Sequence, residues 1–155
     1  MRTQVAIIGG GPSGLLLSQL LHRKGIDTVV LERKTRDYVL SRIRAGILER
    51  GFVSLMREAG VGERMDREGF VHDGTLIAYD NESFRINFKD LTDTTVIVYG
   101  QTEVTRDLYD AREAAGGKIV FEVEDVAVND ADTDKPFITY RTPDGEARID
   151  CDFVA

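Results

Sequence analysis

The feature that most constrains this chain is a glycine spacing, Gly9-x-Gly11-x-x-Gly14, set between the apolar run Gln4 to Ile8 and a leucine-rich stretch. The run before it is short and rich in β-branched residues, which suits a strand buried on both faces. After it, Leu15, Leu16, Leu17, Leu20 and Leu21 recur at helical spacing up to Lys24, and Gly25 stands where a left-handed helix cap is wanted. Thr28 to Leu31 is a second apolar strand, so residues 4 to 32 read as one β-α-β unit with parallel strands and a right-handed crossover. Each glycine then has its own task. Gly9 permits the tight turn, Gly11 lets the backbone approach a diphosphate, and Gly14 lets the helix pack closely on the strand. The helix amino terminus offers free N–H groups and a partial positive charge, worth ~0.3–1 kcal/mol toward an anion from the dipole alone. Ser13 can add a hydroxyl donor.

Glu32 follows Gly14 by 18 residues, at the end of the second strand, where an acidic side chain accepts hydrogen bonds from an adenosine ribose. That carboxylate selects among dinucleotides. A 2′-phosphate about 4 Å away would be repelled by roughly 4 kcal/mol per unit charge at an effective dielectric of about 20. NADP is therefore disfavoured in this pocket, and FAD or NAD remains.

The rest of the chain alternates between the two periodicities. Residues 46 to 60 carry Ile47, Leu48, Val53, Leu55 and Met56 and end at Gly60, a pattern that predicts one helix. Phe70 to Tyr79, Ser83 to Phe88 and Thr95 to Tyr99 are short, alternating and separated by polar turns, and are expected to form one small antiparallel sheet. A helix is predicted over Gln101 to Ala115, with Val104, Leu108, Ala111 and Ala115 on one face. Strands are predicted over Lys118 to Val128, Phe137 to Arg141 and Ala147 to Ile149, with turn chemistry at Thr142-Pro143-Asp144-Gly145. Asp152 to Ala155 again has an apolar strand pattern. In open α/β sheets the ligand lies beyond the carboxyl ends of the strands, so a strand without its following loop points to a fragment of a longer protein. The expected class is α/β, a Rossmann-like parallel βαβ unit with a small antiparallel insertion.

Bulk properties narrow the partners. A chain of 155 residues suits one domain, and its net charge of -7 disfavours nucleic acid. The densest basic cluster, Arg33-Lys34-Thr35-Arg36, is too short to change that. The lone cysteine, Cys151, supports neither a disulfide framework nor a zinc site, and a reducing cytoplasm fits best. No apolar stretch is long enough to span a bilayer as a helix.

Three segments go further than the glycine motif: Val5-Ala6-Ile7-Ile8-Gly9-Gly10-Gly11-Pro12-Ser13-Gly14-Leu15, Ser41-Arg42-Ile43-Arg44-Ala45-Gly46, and Tyr99-Gly100-Gln101-Thr102-Glu103-Val104-Thr105-Arg106. In order and spacing they resemble the FAD-dependent aromatic hydroxylases of the 4-hydroxybenzoate 3-monooxygenase family. The resemblance implies an FAD-binding domain over residues 1–155, incomplete, with the substrate domain elsewhere in a longer protein that is a homodimer. It implies that Gly9, Gly11, Ser13, Gly14, Glu32, Arg42, Arg44 and Gln101 serve FAD, with the stretch Ile43, Ala45, Gly46 and Ile47 lining the same groove. Two arginines at i, i+2 on an extended segment point the same way and can clamp a diphosphate, although a solvated basic loop also explains them. Arg33, Lys34 and Tyr38 fall where the family holds its transient co-substrate NADPH; a solvated helix face explains them almost as well. His72 matches the family histidine that ends a proton relay from the bound phenol, and an imidazole titrates in the useful range. The implied reaction consumes NADPH and O2 and hydroxylates 4-hydroxybenzoate to 3,4-dihydroxybenzoate. Alternatives are another phenol or alkene monooxygenase of the same group, or a non-catalytic FAD or NAD redox module.

Overall fold

The computed structural model describes residues 1–155. In chain order the elements are β1 (Val5–Ile8), α1 (Pro12–Arg23), β2 (Thr28–Leu31), α2 (Arg36–Ser41), β3 (Ile47–Leu48), α3 (Arg50–Glu58) and α4 (Glu63–Glu68). There follow β4 (Phe70–His72), β5 (Gly74–Tyr79), β6 (Glu82–Asn87), α5 (Phe88–Thr92), β7 (Val96–Val98) and α6 (Gln101–Ala114). The chain closes with β8 (Lys118–Val120), β9 (Glu124–Asn129), β10 (Phe137–Thr142), β11 (Gly145–Asp150) and β12 (Phe153–Val154).

A parallel sheet in the order β12-β1-β2-β8 is the middle layer. β2 is buried along its whole length because the sheet is covered on both faces. Its alternate residues divide between the two covers. Val29 and Leu31 meet Ile138, Tyr140 and Ile149 of the antiparallel sheet β11-β10-β9, while Val30 packs with Val5, Ile7 and Leu21 on the helical side. Thr28 also turns to the helices, where its hydroxyl and that of Ser18 in α1 share a buried hydrogen bond of 2.6 Å. Cys151 fills the inter-sheet core, and burial pushes its thiol above the ordinary cysteine range. A second core joins α1, α3, α4 and α6 through Leu15, Met56, Met65, Val104, Leu108 and Tyr109.

The expected α/β class and the βαβ unit are present, with β1 and β2 parallel. Three expected boundaries are corrected. The helix expected over 46 to 60 begins only at Arg50: Ile47 and Leu48 form β3, extended and paired with Val98 and Ile97 of β7. The single antiparallel sheet is two, β3-β7-β4 and the hairpin β5-β6. The break falls at Asp73, whose carbonyl accepts the Phe88 N–H at 2.7 Å and whose carboxylate pairs with Arg85, so the chain leaves one sheet and enters the other there. The strand expected from Lys118 to Val128 likewise divides at Glu122, where the chain turns with a left-handed φ of 59° between β8 and β9. β8 completes the parallel sheet and β9 joins the antiparallel one.

Candidate functional site

The glycine loop leaves β1 at its carboxyl end. Gly9 has φ 121°, a conformation open to glycine and costly for other residues. Around Gly11 the space is open, whereas a Cβ on Gly14 would stand 2.1 Å from the Gly9 carbonyl oxygen. Helix α1 therefore starts directly against the strand end. Gly11 is its N-cap, no side chain caps it, and no acidic residue lies in its first turn. Pro12 has no N–H to satisfy, and the N–H groups of Gly11, Ser13 and Gly14 have no backbone acceptor, the first helical bond being Leu15 to Gly11. An uncapped, un-neutralised helix start is a place for an anion.

Glu32 reaches this loop. Its carboxylate accepts the N–H of Gly10 at 2.8 Å with one oxygen and the N–H of Lys34 at 2.8 Å with the other. From the opposite side, the buried Tyr109 of α6 donates its hydroxyl to the Gly10 carbonyl at 2.7 Å. Burial, and secondarily the Glu32 charge, push that hydroxyl well above the ordinary tyrosine range, so it stays a donor.

Beside the loop lies a cleft of about 340 Å³ that gathers Gly11, Glu32, Arg33, Tyr38, Arg42, Arg44 and Gln101. Lys34, Thr102 and Thr105 line it too. Its side chains include four cations against one carboxylate, in a chain whose net charge is -7. The cleft is thus locally basic, as a diphosphate site needs. Lys34 and Arg42 both lie against the Tyr38 ring, at 5.3 and 5.6 Å from its centroid. Thr35 caps α2 by accepting the Tyr38 N–H at 3.1 Å, and Arg36 pairs with Asp110, which ties α2 to α6.

A second, apolar cleft of about 420 Å³ adjoins the first through Pro12 and Gln101, which line both. Ala45, Ile47, Leu48, Glu49, Phe52 and Val104 complete it. Gly46 explains its position: a Cβ there would come within 2.6 Å of Gly100 Cα, and the Gly46 carbonyl accepts the Tyr99 N–H at 2.7 Å. Close backbone contact holds Ala45 to Ile47 beside the start of α6. Tyr99 and Glu103 of the Tyr-Gly-Gln-Thr-Glu stretch are structural. The Tyr99 hydroxyl donates to Asp107 at 2.7 Å, and Arg64 of α4 pairs with Glu103 and Asp107, clamping α4 to α6.

Six residues singled out in the sequence lie outside these clefts: Gly9, Gly14 and Gly46, which shape the backbone around them, and Ser13, Ile43 and His72. Ser13 is exposed at the start of α1, with its backbone N–H facing the same end as the loop. Ile43 is 92% exposed. His72 is exposed on β4, paired through the backbone with Val96, and lines neither cleft. Arg33 and Tyr38 also line a further cleft of about 430 Å³, with Thr35, Glu122, Glu124 and Arg141, where both signs of charge are present. Sequence reasoning missed Thr102, Thr105 and Tyr109. Thr105 and Tyr109 follow Gln101 at i+4 and i+8, so the helical spacing held the signal for both.

Residues 2–155 match the FAD binding domain family. This chain belongs to that family. The FAD-binding domain is 46% identical over 156 residues to p-hydroxybenzoate hydroxylase of Acinetobacter baylyi, an alignment that takes in 100% of this chain and 38% of that protein. It is 40% identical over 70 residues to dialkyldecalin synthase of Streptomyces rugosporus, covering 45% of this chain and 15% of that protein. Among solved structures it superposes on p-nitrophenol 4-monooxygenase of Pseudomonas putida with a TM-score of 0.84 at 20% identity, over 99% of this chain and 40% of the other. The anhydrotetracycline hydroxylase of Streptomyces rimosus gives 0.81 at 23%, over 99% and 31%. These structural likenesses establish the shared fold, and the chain spans well under half the length of the relatives it matches.

Proposed function

We propose that this FAD-binding domain is the nucleotide-binding part of a monooxygenase that uses NADPH and O2 to hydroxylate 4-hydroxybenzoate to 3,4-dihydroxybenzoate. The observation that carries the reading is the meeting of the two clefts at Pro12 and Gln101. A basic, polar half and an apolar half in line suit a ligand with a diphosphate in its middle and a flat ring at one end. The 46% identity to the Acinetobacter baylyi enzyme supports the choice of substrate. NADPH as reductant and the lone thiol of Cys151 fit a reducing cytoplasm.

When bound, FAD supplies the redox chemistry and the activation of O2. The chain binds, orients and excludes water. The N–H groups of Gly11, Ser13 and Gly14 receive the diphosphate, and Arg42 and Arg44 close on it with guanidinium groups shaped for phosphate oxygens. Glu32 spends one bond per carboxylate oxygen on the backbone, and each oxygen keeps a lone pair for a ribose hydroxyl. Ala45, Ile47 and Gln101 flank the ring, and the apolar wall keeps water from it. Arg33, Lys34 and Tyr38 take NADPH, the positive charge of Arg33 and Lys34 answering its 2′-phosphate. His72 receives the phenol proton through a relay, and its exposed place on β4 suits the solvent end of such a path.

The test uses the purified full-length protein. FAD should be released on denaturation, and NADPH oxidation should accelerate when 4-hydroxybenzoate is added. A preparation that neither carries nor takes up FAD refutes the nucleotide reading. A flavoprotein whose NADPH oxidation ignores 4-hydroxybenzoate refutes the substrate.

A further inference from the structure

Gly10 is held from both sides by residues far apart in sequence. Its N–H goes to Glu32, 22 positions on, and its carbonyl accepts the hydroxyl of Tyr109, 99 positions on. These bonds engage two successive peptide planes, Gly9–Gly10 and Gly10–Gly11. No peptide bond in the chain is cis. In a planar trans peptide the C=O and the N–H point in opposite directions. With the Gly10 oxygen drawn inward onto Tyr109, the Gly11 N–H is turned the other way. That N–H has no backbone acceptor, and Gly11 lines the basic cleft.

We propose that Tyr109 is a positioning residue of the nucleotide site: its hydroxyl fixes the rotation of the Gly10–Gly11 peptide so that the Gly11 N–H faces the ligand's diphosphate. The inference rests on the reading of the basic cleft as the FAD site. The tyrosine is itself well fixed. It is 2% exposed, its ring lies 5.7 Å from that of Phe121, and the Arg36 guanidinium sits 5.5 Å from its centroid. Without the hydroxyl, the Gly10 carbonyl is left in a buried place with no donor, and the peptide gains a reason to rotate.

Tyr109→Phe removes the hydroxyl and keeps the ring. In the full-length protein, FAD affinity is read by quenching of flavin fluorescence, with ADP and adenosine measured as competitors. The dissociation constants of FAD and ADP should rise about five- to twentyfold, while that of adenosine, which has no diphosphate, stays within about twofold. Ile138→Val, in the inter-sheet core, serves as a comparison that lowers stability away from the loop and should leave the ratio of ADP to adenosine affinity unchanged. Equal losses for ADP and adenosine in Tyr109→Phe, or no loss for ADP, would overturn the proposal. Wild-type protein that fails to bind FAD would instead overturn the nucleotide reading on which it stands.

Discussion

Removing the Glu32 carboxylate should damage the protein even when no nucleotide is present. In Glu32→Ala the Gly10 N–H loses its acceptor, and Gly10 is buried, so water does not replace it freely. An orphaned buried donor costs about 1–3 kcal/mol, whereas the exposed Lys34 N–H turns to solvent at little cost. For a chain of 155 residues that penalty corresponds to a fall of roughly 2–12 °C in melting temperature, at about 2–4 °C per kcal/mol. Glu32→Gln keeps one acceptor oxygen and should lie between the wild type and Glu32→Ala. The assay is thermal unfolding of flavin-free protein followed by circular dichroism. A companion FAD titration should show weakening of roughly 10- to 150-fold, from lost charge-assisted bonds to the ribose worth about 1.5–3 kcal/mol. Two readings are thereby separated. A carboxylate that only waits for ligand would leave the flavin-free protein as stable as the wild type, and that result would refute the argument that Glu32 holds the loop.

Gly14→Ala places a Cβ 2.1 Å from the Gly9 oxygen and 3.1 Å from Ile7 Cγ2, so α1 must back away from β1. A stability loss of at least about 1–3 kcal/mol is expected, with loss of FAD binding; retained FAD affinity in a fluorescence titration would contradict it. Arg44→Ala should weaken FAD binding by roughly tenfold at low salt and by less at high salt, because screening already weakens the charge it removes. Titrations that show no salt dependence in that difference would remove Arg44 from the diphosphate site. The Arg64 guanidinium hydrogen-bonded to Glu103 holds its carboxyl below the usual glutamate range. A depressed carboxyl stabilises the fold above its unfolded value, near 4.5, and that contribution disappears as pH falls through the lower folded value. Urea unfolding should therefore show the wild type losing its advantage over Glu103→Gln as pH drops below about 4.5, and parallel pH profiles would count against the pairing.

By itself the sequence determined whatever depends on neighbours along the chain. Gly9, Gly25 and Gly60 were legible as turn or cap positions because a positive φ is a local demand, and they adopt 121°, 72° and 76°. The β-α-β unit was legible because each strand and helix announces its own period within a few residues. So was the grouping of Glu32 with the glycine loop, since β1 and β2 are adjacent parallel strands whose carboxyl ends must lie together. Only the tertiary structure decided which faces meet. Ile47 and Leu48 suit a helix by spacing and become a strand because β7 offers them a partner. Phe70 to Tyr79 was expected to serve one sheet, yet it serves two, because period fixes which side chains share a face and not which strand lies opposite. The same holds for Tyr109. Its place on α6 could be read from spacing, but its bond to Gly10 exists only because α1 and α6 pack against each other across 99 positions of chain.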